Sequence, residues 1–364
     1  MTTLTTAAVI RSPEGSFSIE SVTLGELRQN EVLVRIVGTG MCHTDLLLRN
    51  PDLFGAVGPI IPGHEGAGIV EAVGSAVNRV AVGDHVLMSY DSCGWCKPCL
   101  SGGPAYCVEF ELRNASGRRS DGSTGATDSH GVTLSNRWFA QSSFAKHAIA
   151  TERNVVVVDE DLPLELLGPL GCGIQTGAGS VLNEMKLRPG ETIAVFGVGA
   201  VGLAAIMASK IAGASHIVAV DIHDRRLTLA SDLGATHCIR GDDPDLLGKL
   251  RAHGRGLDFT FDTTAVSSIM RIAIDSLDRP GKAVLVGAGA GTVHINGHNL
   301  AGRTVTYVRE GSSIPQIFLP QLIEYWRAGR FPFERLITTY GMAQIDKAEK
   351  DSLSGETIKP VLIP

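Results

Sequence analysis

Four of the seven cysteines stand close together, as Cys93-Gly-Trp-Cys96-Lys-Pro-Cys99 and then Cys107. Four soft thiolates on one loop match a closed tetrahedral zinc site, which organises a lobe that has no core of its own. A redox CxxC pair needs only two of them, and buried free thiols need no such spacing. A closed tetrathiolate has no open coordination position, so this cluster is structural and the chemistry has to lie elsewhere. Cys42, Cys172 and Cys238 remain, together with 11 histidines. Spacing alone does not join residues as distant as 42, 64 and 172, and each taken singly is as consistent with a core thiol or a turn histidine as with a ligand.

A second chemical signal is Gly197-Val-Gly199-Ala-Val-Gly202. It follows the strand-like Thr192-Ile-Ala-Val-Phe196 and opens a segment in which Leu203, Ile206, Met207 and Ile211 keep helical spacing. In that context the glycines give a tight turn, close backbone approach to a pyrophosphate and helix-to-strand packing, while the helix N-terminus offers free N–H groups. The next apolar run, His216-Ile-Val-Ala-Val220, ends in Asp221. A carboxylate at that distance from the last glycine binds the adenosine ribose hydroxyls. Asp221 favours NAD over NADP because it repels a 2′-phosphate; Arg225 and Arg226 lie close by, and Arg226 is counted with the cofactor residues. The plain alternative is a strand, a turn and a helix with a surface aspartate.

These groups need elements to position them. The first 150 residues carry short β-type runs such as Glu31-Val-Leu-Val-Arg-Ile-Val37 and Gly68-Ile-Val-Glu-Ala-Val73, closed by Gly or Asn, which predicts a compact barrel-like β domain. From about residue 190 the rhythm changes. Apolar runs at 192–196, 216–220, 235–239, 257–261, 282–286 and 304–308 alternate with helix-length segments, which predicts a doubly wound parallel sheet in an α/β domain. A helix is expected from Ile317, and the tail after 310 returns to the first domain. The polar, Gly- and Ser-rich stretch Leu112 to Arg137 reads as a long surface loop.

The whole chain has 364 residues, 44% hydrophobic and 19% charged, so disorder and a small stapled scaffold are excluded and two domains are expected. A formal charge of −6 with no run of Lys or Arg leaves no footprint for nucleic acid or an anionic membrane, which points to a small-molecule partner. The apolar stretch Ile193 to Ala208 is too short to span a bilayer and is broken by glycines. The N-terminus lacks the pattern of a secretory signal, and with seven cysteines, an odd number, the protein is read as cytoplasmic and without a disulfide framework.

Gly40-Met-Cys42-His43-Thr44-Asp45, Gly63-His64-Glu65-Gly66-Ala-Gly68, the four-cysteine lobe, Gly171-Cys172-Gly-Ile-Gln-Thr176 and the Gly197 fingerprint occur in one order along the chain. In that order they resemble the zinc-containing medium-chain alcohol dehydrogenases, over essentially the whole chain. Leu166 to Gly177 and Phe139-Ala-Gln-Ser-Ser-Phe-Ala-Lys-His147 are most similar to the aryl-alcohol (benzyl alcohol) dehydrogenase branch. The resemblance implies a GroES-like catalytic domain from 1–172 and 310–364, with a structural zinc lobe at 90–110, and a Rossmann NAD-binding domain at 173–309. It implies two zinc ions per subunit: one on Cys93, Cys96, Cys99 and Cys107, and a catalytic one on Cys42, His64 and Cys172 with its fourth position open to water or substrate oxygen.

The same resemblance makes Asp45 the carboxylate that fixes the tautomer of His64, places Glu65 beside the metal as a helper of ligand exchange, and gives Thr44 the alcohol proton. Many relatives end that proton relay in a histidine three residues further on; this chain has Leu47. His43 and Lys359 are matched to cofactor phosphate contacts, and Thr176 and Val201 to residues packing on the nicotinamide. Ser89 stands where some relatives have a bulky aromatic, which leaves room for a ring-bearing alcohol. The implied reaction is reversible NAD-dependent oxidation of an aromatic or allylic primary alcohol in a homodimer or homotetramer. A terpenoid or aliphatic alcohol, another carbonyl substrate or a thiol-adduct aldehyde is the alternative within the family. A zinc- and dinucleotide-binding protein without turnover is the alternative outside it.

Overall fold

A computed structural model describes residues 2–50, 58–252, 255–289 and 291–364. It divides into two units, one of Met1–Cys172, Ile314–Pro320 and Glu334–Pro364, the other of Gly173–Ser313 and Gln321–Phe333. The sequence assigned everything from 310 onward to the first unit; Glu310 to Ser313 and Gln321 to Phe333 instead group with the second. Side-chain bonds explain the first of these. The Gln175 amide donates to the Glu310 carboxylate at 3.1 Å, and the Ser312 hydroxyl donates to Glu184 at 2.7 Å, tying the segment to the 173–185 helical stretch.

The first unit is mainly β. A seven-stranded sheet runs in the order Ile337–Gly341, Lys359–Ile363, Glu31–Gly40, Glu65–Val73, His85–Met88, Val155–Val158, with His147–Thr151 also paired to Glu31–Gly40. The register sets Gly40 opposite both Glu65 and Val361, so the residues just beyond Gly40 come beside His64 and Lys359. Gly40 is required there, because a Cβ would fall 2.0 Å from a Glu65 carboxylate oxygen.

A smaller sheet orders Thr3–Val9, Ser18–Leu24, Ala126–Asp128 and Thr133–Leu134. Its last two strands correct the surface-loop reading of 112–137. Much of the stretch is exposed, but Arg119 and Arg137 within it are buried against Glu31.

The second unit is a six-stranded parallel sheet, in the order His237–Arg240, His216–Asp221, Thr192–Phe196, Leu257–Asp262, Leu277–Leu285, Arg303–Tyr307. All six expected strands are present. The order reverses between Thr192–Phe196 and Leu257–Asp262, the switch point at which doubly wound sheets bind ligands. Ile193, Ala194, Val195 and Phe196 are all buried, as a central parallel strand covered on both faces requires. The expected helix after the glycine triplet spans Ala200–Ala212 and ends on the left-handed Gly213. Among the described residues no helix is long and apolar enough to cross a membrane.

Candidate metal centre and dinucleotide loop

Two clusters of metal-type ligands form, both in the first unit. In the lobe, Cys93, Cys96, Cys99 and Cys107 bring their sulfurs to 3.9 Å for Cys93 and Cys99, 3.4 Å for Cys96 and Cys99, and 3.9 Å for Cys96 and Cys107. Four sulfurs at about 2.3 Å from one tetrahedral ion are separated by about 3.8 Å, so the set fits zinc and is far too open for a disulfide. Backbone N–H groups of Cys93 and Glu109 donate to the Cys107 sulfur, and that of Cys96 to the Cys93 sulfur, which favours thiolates.

The second cluster gathers Cys42, His64, Glu65 and Cys172, whose ligand atoms lie within 4.8 Å of one another. The strand register delivers Cys42 and His64, and Cys172 follows the short helical turn Gly168–Gly171. The Ser89 hydroxyl, just past the end of the His85–Met88 strand, fixes that turn by donating to the Gly171 carbonyl at 2.6 Å. Ser89 is fully buried in that bond. It therefore braces the chain before Cys172.

His64 shows which atom faces a metal. Its Nδ1 lies 2.7 Å from Asp45 Oδ1, while its Nε2 is buried with no hydrogen-bond partner among the described residues. A buried imidazole nitrogen aimed at two cysteine sulfurs is costly unless an ion satisfies it. The Cys42, His64, Cys172 set therefore fits a three-ligand zinc centre. Asp45 is equally determined: Oδ1 also accepts from Gly63 N and Trp138 Nε1, both at 3.0 Å, and Oδ2 from Cys42 N at 3.1 Å. Burial pushes the His64 imidazole toward neutrality, but the Asp45 carboxylate outweighs it and raises the basicity well above the usual range. The Cys42 thiol is held well below its ordinary value by the hydrogen bond with Cys172, against burial, with the charge of Lys359 assisting.

Lys359 requires a correction. It was expected to meet a cofactor phosphate, yet it is buried and directs its three N–H groups to the two Glu65 oxygens, each at 2.9 Å, and to the Met41 carbonyl at 3.2 Å. Burial opposes its charge, and the nearby Glu65 carboxylate and Cys42 thiolate more than restore it.

The remaining site residues of the first unit are less constrained. Thr44 Oγ1 lies 3.7 Å from the Cys42 sulfur; His43 is exposed at the start of the short helix His43–Leu46, and Leu47 follows it half-buried. Sequence reasoning missed three groups. Phe139 stacks on His64 with ring centroids 4.5 Å apart, Trp138 bonds Asp45, and Gln141 donates to the His64 and Ser89 carbonyls while accepting from Gly66 N. Phe139 and Gln141 lie in the stretch that carried the aryl-alcohol branch resemblance and Trp138 immediately precedes it, but no spacing rule marks them. Phe139, Ala140 and Ser142 all have positive φ, at 49°, 55° and 52°, which non-glycine residues adopt only when surroundings hold them there.

In the second unit the glycine triplet divides its work as expected. Gly197 turns at φ 79°, Gly202 admits no Cβ because the Gly197 carbonyl would lie 2.1 Å away, and a Cβ on Gly199 would meet open space. Gly199 is the helix N-cap, so the open side faces free backbone N–H groups that fit a pyrophosphate. Asp221 closes its strand nearly buried, its Oδ2 accepting from Val198 N at 2.8 Å and its Oδ1 from His223 N at 2.9 Å. Arg226 Nη1 lies 3.9 Å from the same carboxylate. Thr176 is buried on the Gly173–Gly179 helix, and Val201 lies half-buried in the first turn after Gly199.

Residues 28–160 match the Alcohol dehydrogenase GroES-like domain and residues 200–323 the Zinc-binding dehydrogenase family. A geraniol dehydrogenase of Castellaniella defragrans is 41% identical over 367 residues, covering 98% of this chain and 97% of that one. This chain belongs to the zinc-binding alcohol dehydrogenases. Its fold follows two solved family members end to end. An alcohol dehydrogenase zinc-binding domain protein from Burkholderia ambifaria is 45% identical with TM-score 0.95, and each chain is covered in full. Benzyl alcohol dehydrogenase from Acinetobacter calcoaceticus is 42% identical with TM-score 0.94 over 99% of each chain. The chain is thus a zinc-dependent oxidoreductase of the medium-chain alcohol dehydrogenase family, which acts on small-molecule alcohols.

Within this dehydrogenase the Asp45 bond to His64 has a measurable weight. Asp45→Asn replaces an acceptor oxygen by an N–H donor, leaving either the Cys42 N–H or the His64 ring opposed. Zinc affinity, measured by chelator competition, is expected to fall by about 10- to 100-fold. Unchanged zinc retention would show that Asp45 only supports the loop.

Proposed function

We propose that this chain oxidises primary aromatic or allylic alcohols to aldehydes, reversibly, with NAD as hydride acceptor and one zinc held by Cys42, His64 and Cys172. The observation that carries this reading is the buried Nε2 of His64, without a hydrogen-bond partner among the described residues and beside two cysteine sulfurs, while Asp45 holds the other ring nitrogen. A second zinc, on Cys93, Cys96, Cys99 and Cys107, holds the lobe together.

Zinc bound at the first set would supply a Lewis acid that makes a hydroxyl far more acidic, and NAD would supply the hydride acceptor. The protein's own residues do the rest. Cys42, Cys172 and the His64 imidazole would hold the ion through three ligands, and the alcohol oxygen would complete the set. Thr44 Oγ1 takes the hydroxyl proton, close to the Cys42 sulfur. Leu47 carries no titratable atom, so the proton leaves Thr44 by a route other than the histidine of many relatives. Lys359 clamps Glu65 in a buried ion pair, which keeps that carboxylate from occupying the open position until the pair is broken.

The glycine triplet takes the cofactor pyrophosphate, and Asp221 with Arg226 beside it takes the adenosine ribose. His43 contacts a phosphate, while Thr176 and Val201 pack on the nicotinamide. Asp221→Ser should raise the NAD KM by roughly 10- to 100-fold and narrow the preference over NADP, because charge-assisted bonds to the ribose are lost. Equal kcat/KM ratios for the two cofactors in both proteins would contradict the assignment.

The substrate class is supported by the geraniol and benzyl alcohol dehydrogenases among the relatives, whose named alcohols both carry unsaturation next to the hydroxyl-bearing carbon. The aromatic ring of Phe139 stacked on His64 is in keeping with a ring-bearing alcohol. The seven free thiols suit a reducing cytoplasm, and the family resemblance favours a homodimer or homotetramer. A steady-state screen of benzylic, allylic and linear alcohols with NAD and NADP tests the reading. Benzylic and allylic alcohols should give the highest kcat/KM with NAD, and chelation should remove the activity. Preference for linear alcohols would overturn the substrate class.

A further inference from the structure

A half-open cavity of about 80 Å³ in the first unit has five arginines in its lining, Arg28, Arg113, Arg118, Arg119 and Arg137, against two acidic residues, Glu31 and Asp91. Arg119 makes a two-bond fork to Glu31 at 2.7 and 2.9 Å, whereas Arg137 donates to the Ile149 carbonyl and reaches the same carboxylate only at 3.8 Å. Arg113 is paired with Asp91 and Glu109, and Arg28 with Asp121. Arg118 is exposed; it donates to the Gly122 carbonyl at 3.3 Å and has no carboxylate partner among the described residues. Five permanent cations therefore share four carboxylates, and two of the cations are buried against a single one.

Arginine does not relieve such an excess by losing its proton at neutral pH. Burial nevertheless pushes the Arg137 guanidinium down to about 10, with Glu31 opposing and Arg119 adding to the fall. Burying a guanidinium whose counter-charge is shared with a second cation is costly, and a polyatomic anion between guanidinium forks offsets the cost through paired, planar hydrogen bonds.

We propose that this cavity is a binding site for one small multivalent oxyanion, of the inorganic phosphate or sulfate class, held chiefly by Arg118 and Arg137. A space of this size and this lining suits a single tetrahedral ion. Its placement also gives the ion a structural consequence. Arg137 immediately precedes Trp138, whose indole bonds Asp45, so a filled cavity steadies the strained 138–142 segment beneath His64.

The test is calorimetric titration of the full chain with inorganic phosphate at constant ionic strength, in the presence of excess NADH so that the glycine-rich loop is filled. One phosphate per chain should bind saturably, sulfate should compete, and Arg118→Ala should weaken binding about tenfold or more. Because Arg118 is exposed and bonded only to one loop carbonyl, that variant should melt like the parent, which separates lost binding from lost fold. Absence of saturable heat beyond a chloride control, or equal affinity in Arg118→Ala, overturns the proposal. So does adenosine monophosphate binding at this site as tightly as phosphate.

Discussion

Cys172→Ala should lower turnover by more than about a thousandfold while leaving the melting temperature close to that of the parent. The loss follows from the ligand count. Cys42 and His64 alone give a two-ligand site, and a Lewis acid contributing several kcal/mol to the reaction is lost with the ion. The fold is spared because Cys172 is a short side chain at the end of the Gly168–Gly171 turn, whose position is fixed independently by the Ser89 bond to Gly171. Zinc content should drop from two to one per chain. Turnover equal to the parent's would remove Cys172 from the reaction.

Cys99→Ala should have the opposite signature. Exposed Trp95, Leu100, Tyr106 and Val108 show that the lobe buries little apolar surface of its own, so its order rests on the four sulfurs. Structural zinc supplies about 10–16 kcal/mol in isolated zinc-finger peptides, more than the whole stability of most domains. Soluble yield and melting temperature should fall sharply, and whatever folds should keep the first zinc set and a comparable KM for the alcohol. A variant that melts like the parent and retains two zinc ions would show that three thiolates and another group suffice. The pair of variants separates a site that works from a site that holds.

The two cases also show what the amino-acid order makes legible. The cysteine lobe is local, so its spacing alone identifies it, and the doubly wound sheet announces itself through apolar runs at helix-length intervals. The glycine triplet is legible because each glycine answers a separate steric demand that the structure displays. The working metal set is another matter. Cys42, His64 and Cys172 are brought together by the register of the Glu31–Gly40 and Glu65–Val73 strands and by a turn a hundred residues away, and only family resemblance joins them in advance.

Non-local partners account for the misreadings as well. Lys359 lies in a strand that pairs antiparallel beside Gly40, which turns a residue expected at a phosphate into the counter-charge of Glu65. The Ser89 hydroxyl also has a partner that the sequence does not announce, the Gly171 carbonyl. Leu112 to Arg137 looks like solvent-facing loop because charge is ordinarily exposed, whereas Arg119 and Arg137 are buried on Glu31 from another strand. In each instance the decisive neighbour is distant in the chain, and no periodicity encodes it.

The catalytic account stands on a Lewis-acidic ion held by two thiolates and one oriented imidazole. Metal quantification on freshly purified, fully active protein tests it most directly. Two zinc ions per chain are expected, with activity disappearing in step with the more readily chelated one. Full activity in protein that carries no bound transition metal would contradict it.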